Sequence, residues 1–205
     1  GDTSATVDVE LMMALLSMKQ FRLLSAYGGK TAIRQAQQAI NRGYKNYTGI
    51  IPTDGLYGRE MNTALIQVLQ AIEGYTPAEA TGNFGAGTRS KLRTISSGTN
   101  QWVWLATVSL VCNGYSILPT STWNSEISNT LWQFQQAHAL PVTGVVDPTT
   151  WMSLLTSKGD PNRPCVACDT RFEITDELAG HLKADGYQIV GRYLSEPNQS
   201  SKSEA

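Results

Sequence analysis

Few residues in this chain of 205 have the types and spacing that chemistry requires. Its two histidines, His138 and His181, form no His-x-x-His or His-Glu-x-x-His pattern, whereas a catalytic zinc site takes about three protein ligands. A zinc peptidase or amidase is thereby disfavoured, and no metal or other cofactor is expected. Cys165-Val166-Ala167-Cys168 has thioredoxin-like spacing but lacks an aromatic or proline context, and it makes only half of a four-cysteine zinc site. Cys112 lies in the apolar run Leu110-Val111-Cys112-Asn113 and reads as a buried thiol. Three cysteines, an odd number, do not describe a disulfide scaffold. No Ser/His/Asp or Cys/His arrangement stands out for nucleophilic catalysis.

The elements that would position a site are repeated. Residues 33–95 and 103–155 each open with a helical apolar pattern ending in Gly-Tyr, at Gly43-Tyr44 and Gly114-Tyr115. Each continues through a polar loop into a second helix, where Leu69-Gln70 falls opposite Phe134-Gln135. Each closes with Thr-Gly and a short third helix, and Gly82 to Gly144, Thr88 to Thr150 and Leu92 to Leu154 are all separated by 62 residues. Such a constant offset describes two homologous three-helix modules. A smaller pattern recurs within them: Gly55-Leu56-Tyr57-Gly58, Gly82-Asn83-Phe84-Gly85 and Gly144-Val145-Val146-Asp147 each precede a helix. A glycine there takes positive φ at low cost, and the apolar residue after it plugs the gap between helices. Pro148 fits a helix start, where its missing N–H costs nothing.

The strings DGLYGREMNTAL (54–65), WQFQQAHALPVTG (132–144) and VTGVVDPTTWMSLL (142–155) resemble the bacterial peptidoglycan-binding module, over about 120 residues in two copies. The second copy lacks Asp-Gly in its first loop and has Trp123-Asn124 where the family has Tyr-Gly. The resemblance implies cell-wall peptidoglycan, its glycan or its stem peptide, as the partner. A site for such a glycopeptide needs an aromatic platform and a few oriented donors and acceptors. The loop–helix junctions supply Tyr44, Asp54, Tyr57 and Arg59 in the first module, and Tyr115, Trp123 and Asn124 in the second. The competing reading for Tyr57 and Phe84 is packing between helices, and for Asp54 and Arg59 a surface or capping role. Trp151 and Phe134 read as core, Trp102 and Trp104 as contacts to the first module, and His138 as solvent-facing.

After Lys158-Gly159-Asp160-Pro161 the pattern changes. Residues 165–170 read as a strand, Thr175-Asp176 opens a helix that Asp185-Gly186 stops, and 187–194 read as a second strand. This piece resembles the opening of the lysozyme-like glycoside-hydrolase barrel. In that family the acidic residue ending the first strand is catalytic, and Asp169 matches it. Glycoside hydrolysis needs two carboxylates, and the neighbouring Glu173, Asp176 and Glu177 read as helix-start residues, so this chain alone is expected to be inactive. Two strands without their barrel leave open edges, which predicts disorder or self-association through these strands.

Composition bounds the rest. With 16 basic and 17 acidic residues the net charge is -1, too balanced for a nucleic-acid partner. No apolar run reaches the roughly 18 residues of a membrane span. The opening Gly1-Asp2-Thr3-Ser4 has no signal-peptide pattern, and the polar stretch 195–205 reads as a tail, so both ends read as those of a piece of a longer protein.

The expected architecture is therefore mainly α: a docking helix in 1–30, peptidoglycan-binding-like modules at 31–97 and 101–158, and at 159–205 a linker with a strand–helix–strand piece of an α/β barrel. The expected function is a cell-wall binding region, extracellular or wall-associated, that tethers a glycoside hydrolase to peptidoglycan. The alternative is a non-catalytic helical scaffold for a protein partner.

Overall fold

The computed structural model describes residues 7–16, 21–156, 166–170 and 174–192. The segment 157–165, which holds most of the linker and Cys165, lies outside the described residues, as do Glu173 and the stretch 193–205. The chain divides into two compact units, Gly1–Pro161 and Asn162–Ala205.

The first unit is helical. Its elements are α1 (Val9–Leu16), α2 (Thr31–Gly43), α3 (Lys45–Thr48), α4 (Arg59–Ile72), α5 (Ala86–Lys91), α6 (Gln101–Cys112), α7 (Ser125–Ala137) and α8 (Pro148–Thr156). Within 1–30, where a docking helix is expected, the described residues form α1 and a single 3-10 turn at Ser25–Tyr27, and Val9, Met13 and Leu16 of α1 are exposed. The chain from Phe21 onward is tied to the first repeat. Leu24 N–H donates to the Asp54 carbonyl at 2.9 Å, and the Arg34 guanidinium donates to the carbonyls of Phe21 and Thr53.

Helical periodicity explains most of the elements. In α2 the buried residues are Ile33, Ala36, Gln37 and Ile40, a single stripe, and in α7 they are Ile127, Thr130, Leu131, Phe134 and Gln135. The start signals differ between repeats. Asn100, Asn124 and Asp147 cap α6, α7 and α8 by accepting from Val103, Ile127 and Thr150 N–H. Gly58 and Gly85 precede α4 and α5 with no side-chain cap. Asn124 thus stands where the first repeat has Gly58, and it adds a hydrogen bond that glycine cannot make.

The two repeats share one core. α6 opens the second repeat, and ten of its twelve residues are buried, because it packs on α2 and α4 of the first repeat as well as on α7 and α8 of its own. A helix that is apolar on every side belongs in an interior. Phe134 and Trp151 are fully buried there, each contributing about 1.5–3 kcal/mol of hydrophobic stabilisation. Polar bonds cross the same boundary. Ile95 and Val146 exchange two backbone bonds of 3.0 Å, Trp151 Nε1 donates to the Arg93 carbonyl at 3.0 Å, and Asn62 Nδ2 donates to the Leu155 carbonyl at 2.8 Å.

The second unit is a strand–helix–strand: β1 (Val166–Thr170), α9 (Asp176–Ala184) and β2 (Tyr187–Arg192), with the strands paired in parallel. Thr175 caps α9 by accepting from Leu178 N–H at 3.2 Å, and Gly186 follows the helix at φ 89.

Candidate functional site

Three buried glutamines hold the three glycine turns. Gln37 Oε1 accepts from Gly55 N–H at 2.8 Å, and its Nε2 donates to Asp54 Oδ1 at 2.9 Å and the Leu56 carbonyl at 3.1 Å. Gln70 Oε1 accepts from Gly82 N–H, and its Nε2 donates to the Asn83 carbonyl and Thr88 Oγ1. Gln135 Oε1 accepts from Thr143 and Gly144 N–H, and its Nε2 donates to the Val145 carbonyl and Thr150 Oγ1. A primary amide carries donors and acceptors together, so it satisfies turn peptides that water cannot reach. Gly55, at φ 80, leaves no room for a side chain: a Cβ would lie 2.6 Å from Leu23 Cδ1 and 2.7 Å from the Lys30 carbonyl oxygen. The corresponding loop of the second repeat is held by Thr107 instead, whose Oγ1 accepts from Thr120 N–H at 3.1 Å.

The Gln37 brace shapes the first candidate site. Between the Asp54 loop and the start of α4 lies a cleft of about 220 Å³. Ile51, Pro52, Leu56 and Met61 provide apolar surface, and Asp54, Arg59 and Glu60 provide charge. Arg59 and Glu60 are exposed, whereas Asp54 is half-buried and uses Oδ1 to accept from Gln37 Nε2 and Leu56 N–H. Sequence reasoning placed Asp54 and Arg59 together, and the fold brings them to one opening.

The aromatic candidates lie elsewhere. The Tyr44 ring stacks on Trp104 with centroids 6.4 Å apart, and its hydroxyl reaches Gln101 Oε1 at 3.3 Å. Tyr57 packs on the core, and its hydroxyl oxygen accepts from Asn62 Nδ2 at 2.8 Å. Burial raises the phenol pKa of both tyrosines above its usual value. Trp123 is packed against the core as well, and its backbone N–H donates to the Gly98 carbonyl. Tyr115 meets Phe134 edge-on at 5.8 Å and lines a second groove, of about 590 Å³. Asp169 is the fourth of five residues in β1, in register with Gly191 of β2. His138 is not solvent-facing: its ring stacks on Phe134 at 4.1 Å, and its Nδ1 lies 2.9 Å from the Phe134 carbonyl oxygen.

Two features carry no clear sequence signal. Trp132 stands half-exposed beside the Gly144 turn, although it sits in a string of core-like residues. Its position one turn ahead of Gln136, on the face opposite Ile127 and Leu131, was the available hint. Glu73, at the end of α4, has both carboxylate oxygens shielded and without a hydrogen-bond partner. Burial pushes its pKa up from 4.5 to about 7, against a lowering influence from Lys91. The Cys112 thiol is pushed up to about 12 by burial and is held protonated. Among the described residues, no group of three or more His, Cys, Asp or Glu side chains comes together, and no helix is long and apolar enough to cross a membrane.

Tandem helical repeats, glutamine-braced glycine turns and a shared core define a peptidoglycan-binding-like helical domain. The chain belongs to the family described as FadG/YbfG, PGDB-like domain, which it matches over residues 26–155. That single match spans both repeats, in keeping with their common core, and ends before the strand–helix–strand unit. The chain is 43% identical over 190 residues to "Uncharacterized protein YbfG" of Bacillus subtilis (strain 168), covering 90% of this chain and 26% of that protein. It is 36% identical over 199 residues to "Uncharacterized protein FadG" of the same organism, covering 94% of this chain and 34% of that protein. The chain thus spans between a quarter and about a third of these relatives. No solved structure matches it significantly.

Proposed function

We propose that this chain is a peptidoglycan anchor that holds a cell-wall hydrolase on its substrate outside the cell. The observation that carries the reading is the cleft of the first repeat, where an exposed guanidinium, Arg59, stands beside the apolar surface of Pro52 and Leu56. A stem peptide offers both complements, a carboxylate for a charge-assisted hydrogen bond and alkyl side chains for the apolar wall. The peptidoglycan-binding-like family supports the same partner.

The catalytic side of the proposal rests on the second unit. A parallel strand–helix–strand is the repeating element of an α/β barrel, whose catalytic groups stand at the C-terminal ends of strands. Asp169 is one residue from the end of β1 and would serve as one carboxylate of a glycosidase pair. Tethering would raise the local substrate concentration for such an enzyme.

Co-sedimentation with purified insoluble peptidoglycan tests the anchor. The full chain should pellet with the polymer, and Arg59→Glu should reduce the pelleted fraction while leaving the melting temperature unchanged. Failure of the unmodified chain to pellet at tens of micromolar would overturn the proposal and leave a protein-binding scaffold as the reading.

A further inference from the structure

The second groove differs in chemistry from the first. It runs between the Gly114–Ser116 turn and α7, and its lining contains Tyr115, Ser116, Glu126, Asn129 and Gln133. Glu126 is its only charged residue, and no cation lines it, so it offers no countercharge to the carboxylates of a stem peptide. Its remaining polar groups are neutral amides and hydroxyls. Such groups donate and accept at once, which suits sugar hydroxyls and acetamido groups.

The same exposed face of α7 continues to Trp132. Glu126, Asn129, Trp132, Gln133 and Gln136 are all exposed, and they follow one another at helical spacing. From Glu126 to Gln136 the face extends for about 15 Å. Trp132 is half-exposed, and its position is set from beneath. Gly144, at φ 70, has no Cβ, and one placed there would fall against Nε1 and within 2.8–2.9 Å of Cδ1 and Cε2 of the indole. The five-membered part of the ring therefore rests on the glycine backbone, while the residue as a whole stays half-exposed. A tryptophan held this way has little rotamer freedom left to lose on stacking. In the first repeat the equivalent Gly82 is covered by Thr63 and Gln67, whose Cγ2 and Cγ would lie 2.5 Å and 3.3 Å from an added Cβ, so only the second repeat presents an aromatic ring here.

We infer that the exposed face of α7 binds the glycan strand of the cell-wall polymer, an uncharged amino-sugar chain. Trp132 and Tyr115 supply aromatic surface, and Asn129 and Gln133 supply hydrogen bonds. The inference rests on the anchoring role proposed above and divides it: the cleft of the first repeat, with its guanidinium, takes peptide, and the cation-free groove of the second takes sugar.

Peptide-free glycan strands, prepared by amidase treatment of peptidoglycan and then methylamidated at the lactyl carboxylates that this uncovers so that the strands carry no charge, separate the two. The full chain is titrated with these strands and, in parallel, with intact peptidoglycan. The expected result is binding to both, with Trp132→Ala and the double variant Asn129→Ala/Gln133→Ala each weakening glycan affinity on the order of tenfold. Arg59→Glu should leave glycan binding unchanged. The double variant alters only exposed amides, so it keeps the test decisive if Trp132→Ala loosens the Gly144 turn. Binding to intact peptidoglycan but not to stripped strands would overturn this inference and leave the anchor standing. Binding to neither would overturn both. Glycan binding indifferent to all the α7 variants would remove the site from this face.

Discussion

The Tyr44 and Trp104 rings lie 6.4 Å apart and 18° from parallel, and they join the end of the first helix of one repeat to the first helix of the other. Tyr44 was a candidate ligand residue, yet much of its ring surface is spent on this stack. The contact is one of several that merge the repeats, so they should unfold together. Stacked aromatic pairs contribute about 0.5–1.5 kcal/mol beyond their burial. A double-mutant cycle of Tyr44→Ala and Trp104→Ala, followed by urea unfolding, should return a coupling energy in that range within a single cooperative transition. Two separate transitions in the unmodified chain would show instead that each repeat folds alone.

Gln135 satisfies the backbone of the Gly144 turn and the Thr150 hydroxyl from a fully buried position. Removing it takes their partner from the Gly144 N–H, the Val145 carbonyl and the Thr150 hydroxyl, while the Thr143 N–H keeps its bond to the Pro141 carbonyl. Gln135→Leu should therefore cost about 2–4 kcal/mol despite its similar size. Chemical denaturation would register this as a lower midpoint, and an unchanged midpoint would contradict the bracing role.

Ala139, two residues past the end of α7, has φ 51, where the first repeat has Gly74 at φ 88, two residues past the end of α4. Both positions end their helices in the same way, with the next residue's N–H reaching back to the buried glutamine: Leu140 to the Gln135 carbonyl, Tyr75 to the Gln70 carbonyl. Left-handed backbone costs a residue with a Cβ roughly 1 kcal/mol more than glycine. Ala139→Gly should accordingly stabilise the domain by about 0.5–1 kcal/mol, a gain that a thermal melt resolves and that a loss would refute.

Glu73 provides a pH dependence. With its folded pKa raised from 4.5 to about 7 by burial, the native state binds the proton more tightly than the unfolded chain does. Its stabilising contribution is fully present below the unfolded pKa and is lost as pH rises through the folded one. A shift of this size corresponds to roughly 3 kcal/mol, which solvent screening of a half-exposed residue reduces to about 1–2 kcal/mol. Glu73→Gln should match the unmodified chain near pH 4 and exceed it by that margin near pH 8. Equal stabilities of the two proteins across this range would show that Glu73 is not held away from water.

Much of this architecture is written locally. A glycine that must adopt positive φ, as Gly55, Gly82 and Gly144 do at φ 80, 73 and 70, leaves its mark at one position. An amphipathic stripe such as Ile33, Ala36 and Ile40 needs only its own helix. The amide pairs Gln70 and Gln135 fell opposite one another for the same reason, since each reaches a turn only 9 to 12 residues further along. Asp54 and Arg59 come to one cleft because five residues of chain separate them.

Other decisions depend on what a surface meets. α6 carries apolar residues on every side, and only the arrival of α2, α4, α7 and α8 around it turns that pattern into a core shared by both repeats. Whether an aromatic ring is spent on packing or left for a ligand follows from its neighbours across the fold. Trp104 covers Tyr44, while Gly144 supports Trp132 and leaves it half-exposed. Sequence alone determined the repeats, their turns and the family they belong to, because backbone conformation and helical periodicity are short-range properties. Tertiary structure alone decided the shared core, the uncovered indole and the shielded Glu73 carboxylate, because burial belongs to pairs of surfaces that lie far apart along the chain.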